Sequence, residues 1–129
     1  MKKLIAILVA LSLFTVLTAA SCGGSGGSAS SAGASVHMGE TTFTQTSVTI
    51  SKGSSLNLIE DVPVTHIISN GTWANSVAKP AIEPGAPTVS NLQFNAAGQS
   101  MTVGPFNTAG TYQLYCSVHV NMNLTVVVE

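Results

Sequence analysis

The sequence predicts an all-β fold, a β-sandwich of seven to eight short strands. Three observations lead there. Runs rich in Val, Ile, Leu, Thr and Phe alternate between apolar and polar residues, with the period of two that a half-buried strand requires. Turn signals built on Gly, Pro, Asn and Asp punctuate those runs at roughly 8–12-residue intervals, the rhythm of sandwich strands. Downstream of the N-terminal segment, no stretch sustains the apolar period of a long amphipathic helix.

The chain has 129 residues, and its first part lies outside that fold. Residues 1–21 open with Lys2 and Lys3, continue with an apolar run from Leu4 to Leu11, and end in the small residues Ala19, Ala20 and Ser21. A charged start, an apolar centre shorter than the ~20 residues that span a bilayer, and a small-residue exit describe an export signal. Cys22 follows at once. Ala20-Ser21-Cys22 ahead of a Gly/Ser tract resembles the lipobox of bacterial lipoproteins, and that resemblance implies lipidation of Cys22 as the mature N-terminus. Ala19 stands where such boxes usually carry Leu, and cleavage after Ala20 by an ordinary signal peptidase is the alternative. Residues 22–35, rich in Gly, Ser and Ala, have nothing with which to build a core and form a flexible tether. Such a coil reaches roughly 20 Å root-mean-square.

Residues 36–129 remain as one domain of small size. Its charged residues are Lys52 and Lys79 against Glu40, Glu60, Asp61, Glu83 and Glu129, a formal charge of −3 with histidines neutral. It has no arginine and no basic run, so the cationic footprint of a nucleic-acid binder is missing.

Taken in order, Thr41 to Ile50 is β-branched and reads as strand, with a bend near Gln45 to Ser47. Lys52-Gly53 is a turn, and Ser55 to Leu58 alternates again. Glu60-Asp61-Val62-Pro63 reads as a loop, because proline fixes its own φ and removes a ladder donor. Val64 to Ile68 is a short strand, and Asn70-Gly71 predicts a chain reversal after it. Trp73 to Thr88, with Pro80, Pro84 and Pro87, reads as an irregular excursion with a helical turn around Ala74 to Ala78, and Trp73 itself is expected to pack near the loop that follows Cys116. Leu92 to Phe94, Ser100 to Val103, Gly110 to Cys116 and Leu124 to Val128 complete the strands.

The chemistry lies between the last two. In Cys116-Ser-Val-His119-Val-Asn-Met122 a cysteine, a histidine and a methionine occupy the first, fourth and seventh positions of a connection between strands. Tyr112, Leu114 and Cys116 share one strand face, so the thiol points into the core, while Thr111, Gln113 and Tyr115 face outward. A loop that folds round a point converges its three ligand-bearing positions. A soft thiolate, an imidazole and a weak thioether suit copper, provided that a second imidazole joins them. His66, on an earlier strand, is the candidate. Zinc is the rival, but methionine is a poor zinc ligand, and structural zinc sites favour several thiolates. A two-copper centre would need a second loop cysteine, which the sequence lacks. The expected set is therefore His66, Cys116, His119 and Met122 around one mononuclear copper. Singly, each has an ordinary structural reading, Cys116 as a small core hydrophobe and Met122 as a gap-filler; their order and spacing point to metal. His37, beside the tether, is not needed for that set, and with Met38 it offers only a lesser copper-scavenging pair.

The run Gly110-Thr-Tyr112-Gln-Leu114-Tyr115-Cys116-Ser-Val-His119 resembles the C-terminal copper loop of plastocyanin and its cupredoxin relatives. Phe43, Val48-Thr49-Ile50 and Gly53 resemble the family's opening strands, and Val64-Thr65-His66 its first-histidine strand. The resemblance implies a Greek-key sandwich with one type 1 (blue) copper near one end, bound by His66, Cys116, His119 and Met122. In two respects the chain departs from plastocyanin. The His119 to Met122 spacing is short, as in amicyanin, and Ile67 stands where many relatives place an Asn that ties the ligand loops together.

The expected function is that of a membrane-tethered, extracytoplasmic one-electron carrier, monomeric, exchanging electrons with redox partner proteins. Family analogy implies docking at the exposed edge of His119; Tyr115, facing outward beside Cys116, offers a second route. Copper trafficking or storage without redox turnover is the alternative. A catalytic oxidase or nitrite reductase would need a further copper centre with more histidines, so enzymatic activity is not expected.

Overall fold

The computed structural model describes residues 33–129, and residues 1–32, which include the signal segment and Cys22, lie outside the described residues. Nine strands follow one another: β1 (Ala34–Met38), β2 (Ser47–Ile50), β3 (Leu56–Glu60), β4 (His66–Ala74), β5 (Val77–Pro80), β6 (Leu92–Phe94), β7 (Ser100–Val103), β8 (Gly110–Cys116) and β9 (Asn123–Val128). No helix occurs among the described residues.

One sheet has the order β1-β3-β7, with β1 parallel and β7 antiparallel to β3. The other runs β2-β9-β8-β4-β5, with β6 also paired to β4. Strand alternation turns one face of each sheet toward the other. Val36 and Met38 of β1, Leu56 and Leu58 of β3 and Val103 of β7 meet Ile68, Leu114, Leu124 and Val126 of the second sheet. Each such side chain, fully enclosed, contributes roughly 1.5–3 kcal/mol relative to exposure. β8 lies in the middle of the second sheet, held by β9 on one side and β4 on the other. Cys116 is thus the last residue of a strand paired along both edges.

The structure departs from the sequence expectation in five places. Ala34 and Ser35, expected to end the flexible tether, instead begin β1, because they pair in parallel with Leu56 and Asn57 of β3. Of Thr41 to Ile50, expected as strand, only Ser47–Ile50 is one, and Phe43 makes an isolated bridge to Met38. The other three bear on the site. Glu60 does not begin a loop: it continues the inward alternation of Leu56 and Leu58 as the last residue of β3, wholly buried. Asn70-Gly71 does not reverse the chain. Asn70 is buried, and its amide donates to the Pro87 carbonyl at 3.2 Å and accepts from the Val89 N–H, anchoring the excursion that follows β5. Gly71, at φ +131°, bends β4 without ending it. Nor is there a helical turn around Ala74 to Ala78. The reversal is a two-residue hairpin at Asn75 and Ser76, both at positive φ (52° and 59°), with Ala74 opposite Val77. Two consecutive left-handed residues match the twist of the flanking strands, and Asn tolerates that conformation better than most.

The bend at Gly71 swings the second half of β4, with β5, across the outer face of β8 as an arm. A side chain at Gly71 would strike this arm's return strand, because its Cβ would lie 2.4 Å from the Lys79 carbonyl oxygen and 2.8 Å from the Pro80 Cα. Gly71→Ala is therefore expected to lower stability by about 2–4 kcal/mol. Chemical denaturation checks this, with Gly53→Ala, at positive φ but with open space around its Cβ, losing clearly less.

Candidate metal centre

β4 and β8 run antiparallel with Ile68 opposite Cys116, so His66, two residues earlier on β4, lies at the end of the sandwich from which the 117–122 loop emerges. His66 and Cys116 are wholly buried and His119 is half-buried. One ligand atom from each of the three lies within 4.8 Å of the other two. The Cys116 Sγ is 3.5 Å from the His119 Nδ1, and the two imidazole rings are 4.7 Å apart, centre to centre. Met122 is also enclosed, at 1% exposure. Its main chain closes the loop: the Cys116 N–H donates to the Met122 carbonyl at 3.0 Å, and the Met122 N–H donates to the His119 carbonyl at 3.2 Å.

Whether these residues fit a metal is decided by the orphaned atoms. Both ring nitrogens of His66 are buried without a hydrogen-bond partner. Leaving buried polar atoms unpaired costs on the order of 1–3 kcal/mol each, so native structures rarely do so without reason. On one side of the ring, His66 Nε2 is 3.5 Å from the equally buried Glu60 Oε2, itself unpaired. That leaves Nδ1 as the ring nitrogen available to a metal held together with the thiol and His119. A soft sulfur and two imidazole nitrogens converging in an enclosed space form a donor set suited to copper. Burial, reinforced by the neighbouring His119, lowers the His66 pKa to about 4, so the ring is neutral and available as a ligand at physiological pH. Burial raises the Glu60 pKa, opposed by the backbone N–H of Val62.

Main chain ties the ligand loop to the first-histidine strand at Ile67. At Ile67 the carbonyl oxygen accepts the Ser117 N–H at 2.8 Å, with the Ser117 hydroxyl a further 3.4 Å contact. This link needs no particular side chain at position 67.

His37 and Met38 form no metal pair. They occupy opposite faces of β1: Met38 is fully buried in the core, and His37 Nδ1 contacts Asp61 Oδ1 at 2.7 Å on the surface. Tyr115 also differs from expectation. It does point away from the core, yet it is only 4% exposed, because Trp73 of the β4–β5 arm packs edge-on against it with ring centres 6.1 Å apart. Trp73 packs near the loop as expected, although nothing local signals its bond to the Cys116 carbonyl. Glu60 is the neighbour of the site that the sequence expectation missed, and the alternation Leu56, Leu58, Glu60 was the available signal for it.

The model of the copper-binding proteins of the plastocyanin/azurin family matches residues 31–129. The chain belongs to that family. Its proteins carry electrons, and the cofactor of this chain is one type 1 copper. No curated protein sequence matches the chain. Among solved structures it is similar to amicyanin from Paracoccus versutus, with 19% identity, a TM-score of 0.57, and coverage of 77% of this chain and 83% of amicyanin. A reduced tryptophan-to-tyrosine mutant of amicyanin is similar at 18% identity and a TM-score of 0.56, covering 75% and 82%. An oxidised methionine-to-leucine mutant is similar at 18% identity and 0.55, covering 74% and 81%. At such identities these matches establish the fold, a cupredoxin sandwich.

The two buried titrating groups oppose each other in the metal-free protein. His66, with its pKa lowered to about 4 from the ordinary 6.5, binds fewer protons folded than unfolded, so its contribution makes stability rise with pH between those values. Glu60, with its pKa raised, binds more protons folded, so its contribution falls as pH rises above the ordinary carboxylate value. In Glu60→Gln only the His66 slope remains. The metal-free variant is expected to gain stability from pH 4 to pH 6.5 more steeply than wild type, by up to roughly 1.4 kcal/mol per unit. Urea denaturation across that range measures it, and parallel curves for the two proteins would contradict it.

Proposed function

We propose that this chain is an exported one-electron carrier, lipid-anchored through Cys22 on the extracytoplasmic face of a bacterial membrane, and that His66, Cys116, His119 and Met122 hold its copper. The observation that carries the reading is the convergence of His66, Cys116 and His119 within 4.8 Å, with the His66 ring nitrogens buried and otherwise unpaired. When bound, copper supplies a Cu(I)/Cu(II) couple that takes up and releases a single electron.

The chain's residues divide the remaining work. Cys116 would hold the copper through its thiolate, His66 and His119 through their imidazoles, and Met122 through its weaker thioether. Enclosure of His66, Cys116 and Met122 excludes water, so both oxidation states meet one dry, preformed surrounding. His119 alone among them reaches the surface. Val118 and Val120 flank it at 48% and 58% exposure, an apolar rim against which a redox partner docks. With few charges on the domain, docking relies on apolar contact more than on electrostatic steering.

Copper storage or delivery is the weaker reading, because an exchangeable site needs accessible donors and two of these three are wholly enclosed. The optical spectrum of the Cu(II)-loaded domain separates the two. An intense visible thiolate-to-copper band, abolished in Cys116→Ser, is expected; a pale spectrum would sink the carrier reading. For the anchor, Cys22→Ala in the full chain is expected to abolish incorporation of labelled fatty acid and release the protein from the membrane fraction. An equally labelled variant would contradict lipidation at that residue.

A further inference from the structure

The arm formed by β4 and β5 does more than cover Tyr115. Trp73 is tied to the two strands that flank the ligand loop by three hydrogen bonds, one to β8 and two to β9. Its indole Nε1–H donates to the Cys116 carbonyl oxygen at 2.8 Å. The main chain of Trp73 is gripped from both sides by the Asn123 side chain: the Trp73 N–H donates to Asn123 Oδ1 at 2.7 Å, and Asn123 Nδ2 donates to the Trp73 carbonyl at 3.1 Å. An amide side chain thus stands in for a neighbouring strand. Closer to the arm's tip, Asn121 Nδ2 approaches Ser76 Oγ at 3.4 Å. Asn121 and Asn123 bracket Met122, so the arm grips the ligand loop on both sides of it.

We propose that Trp73 is a positioning residue for the copper site, its indole fixing the Cys116 peptide and Asn123 fixing Trp73. The proposal rests on Cys116 being a copper ligand. Cys116 ends β8, and its N–H is already committed to Met122. Its carbonyl oxygen takes its bond from the arm's indole, so the two ends of the residue are pinned by different parts of the fold. With both pinned, the direction in which the thiol leaves the backbone is set before any metal arrives. An indole is well suited to the role: rigid, amphipathic, with one donor and no acceptor, it covers Tyr115 with its ring and satisfies the carbonyl with its edge. The contact also reaches the metal through few bonds, from carbonyl to Cα, Cβ and Sγ, so withdrawing the donor perturbs the thiolate's surroundings directly.

The test is Trp73→Phe, which keeps an aromatic ring against Tyr115 and removes only the N–H donor, alongside Asn123→Ala, which loosens the grip on Trp73 without touching the Cys116 carbonyl. Copper-loaded Trp73→Phe is expected to show a displaced visible band and altered copper hyperfine splitting, with copper released to a chelator about 10-fold faster. Asn123→Ala is expected to shift the same quantities in the same direction by less. In metal-free wild type, the Trp73 indole proton is expected to exchange slowly with solvent by NMR, and faster in Asn123→Ala. If wild type itself shows no thiolate band, the copper reading fails. If wild type is blue and both variants keep its spectrum and its copper release while losing only thermal stability, the positioning role is overturned. Should Trp73→Phe not fold, Asn123→Ala alone decides, an unshifted spectrum counting against the proposal.

Discussion

A buried thiol can bind a metal at a defined point only if the backbone that carries it cannot move, and Cys116 is held on every side. Its N–H bonds to Met122, its carbonyl to the Trp73 indole, and the next residue's N–H to the Ile67 carbonyl. Each bond comes from a different segment: the ligand loop, the arm and the first-histidine strand. The rest of the molecule supplies the positions of those three segments. β9 fixes where the loop ends, and the β4–β8 register fixes where His66 stands relative to the thiol. Packing between the sheets prevents either from slipping, because a one-residue shift would turn the core face of the strand outward.

The arm is where this domain departs most from a simple sandwich. Gly71 admits a backbone bend, Asn75 and Ser76 admit the hairpin, and the result places Trp73 over the outer face of β8. A surface that alternation alone would leave to solvent becomes a second, smaller packed layer. Tyr115 is enclosed by it, which leaves the half-exposed His119, rimmed by Val118 and Val120, as the surface approach to the site. Glu60 and Trp73 adjoin the centre at two different ligands, one beside the His66 Nε2 and one at the Cys116 carbonyl.

Much of this was legible in the sequence because the signals were local and periodic. The Cys116, His119, Met122 spacing lies within one loop, and the strands that flank it alternate cleanly. The sandwich followed from turn spacing, and His66 from the demand for a second imidazole. What the sequence concealed depends on distant partners. Asn70-Gly71 has the composition of a tight turn, yet Asn70's amide is engaged by Pro87 and Val89, which no local pattern announces. Ser76 is an uncommon second residue for a two-residue hairpin and gave no turn signal. Glu60 looked like the polar start of a loop, because a buried carboxylate makes sense only once His66 is known to face it. Fifty residues separate Trp73 from Asn123, and their clasp exists only after the arm has bent over β8.

The central claim is that one enclosed site, built on the Cys116 thiolate and two imidazoles, holds its ligands in place through a change of oxidation state. X-ray absorption at the copper edge, recorded on the oxidised and the reduced protein, tests it most directly. One short copper–sulfur bond and two imidazole nitrogens are expected in both states, with closely similar bond lengths. A copper shell without a thiolate sulfur, or one that loses an imidazole on reduction, would contradict it.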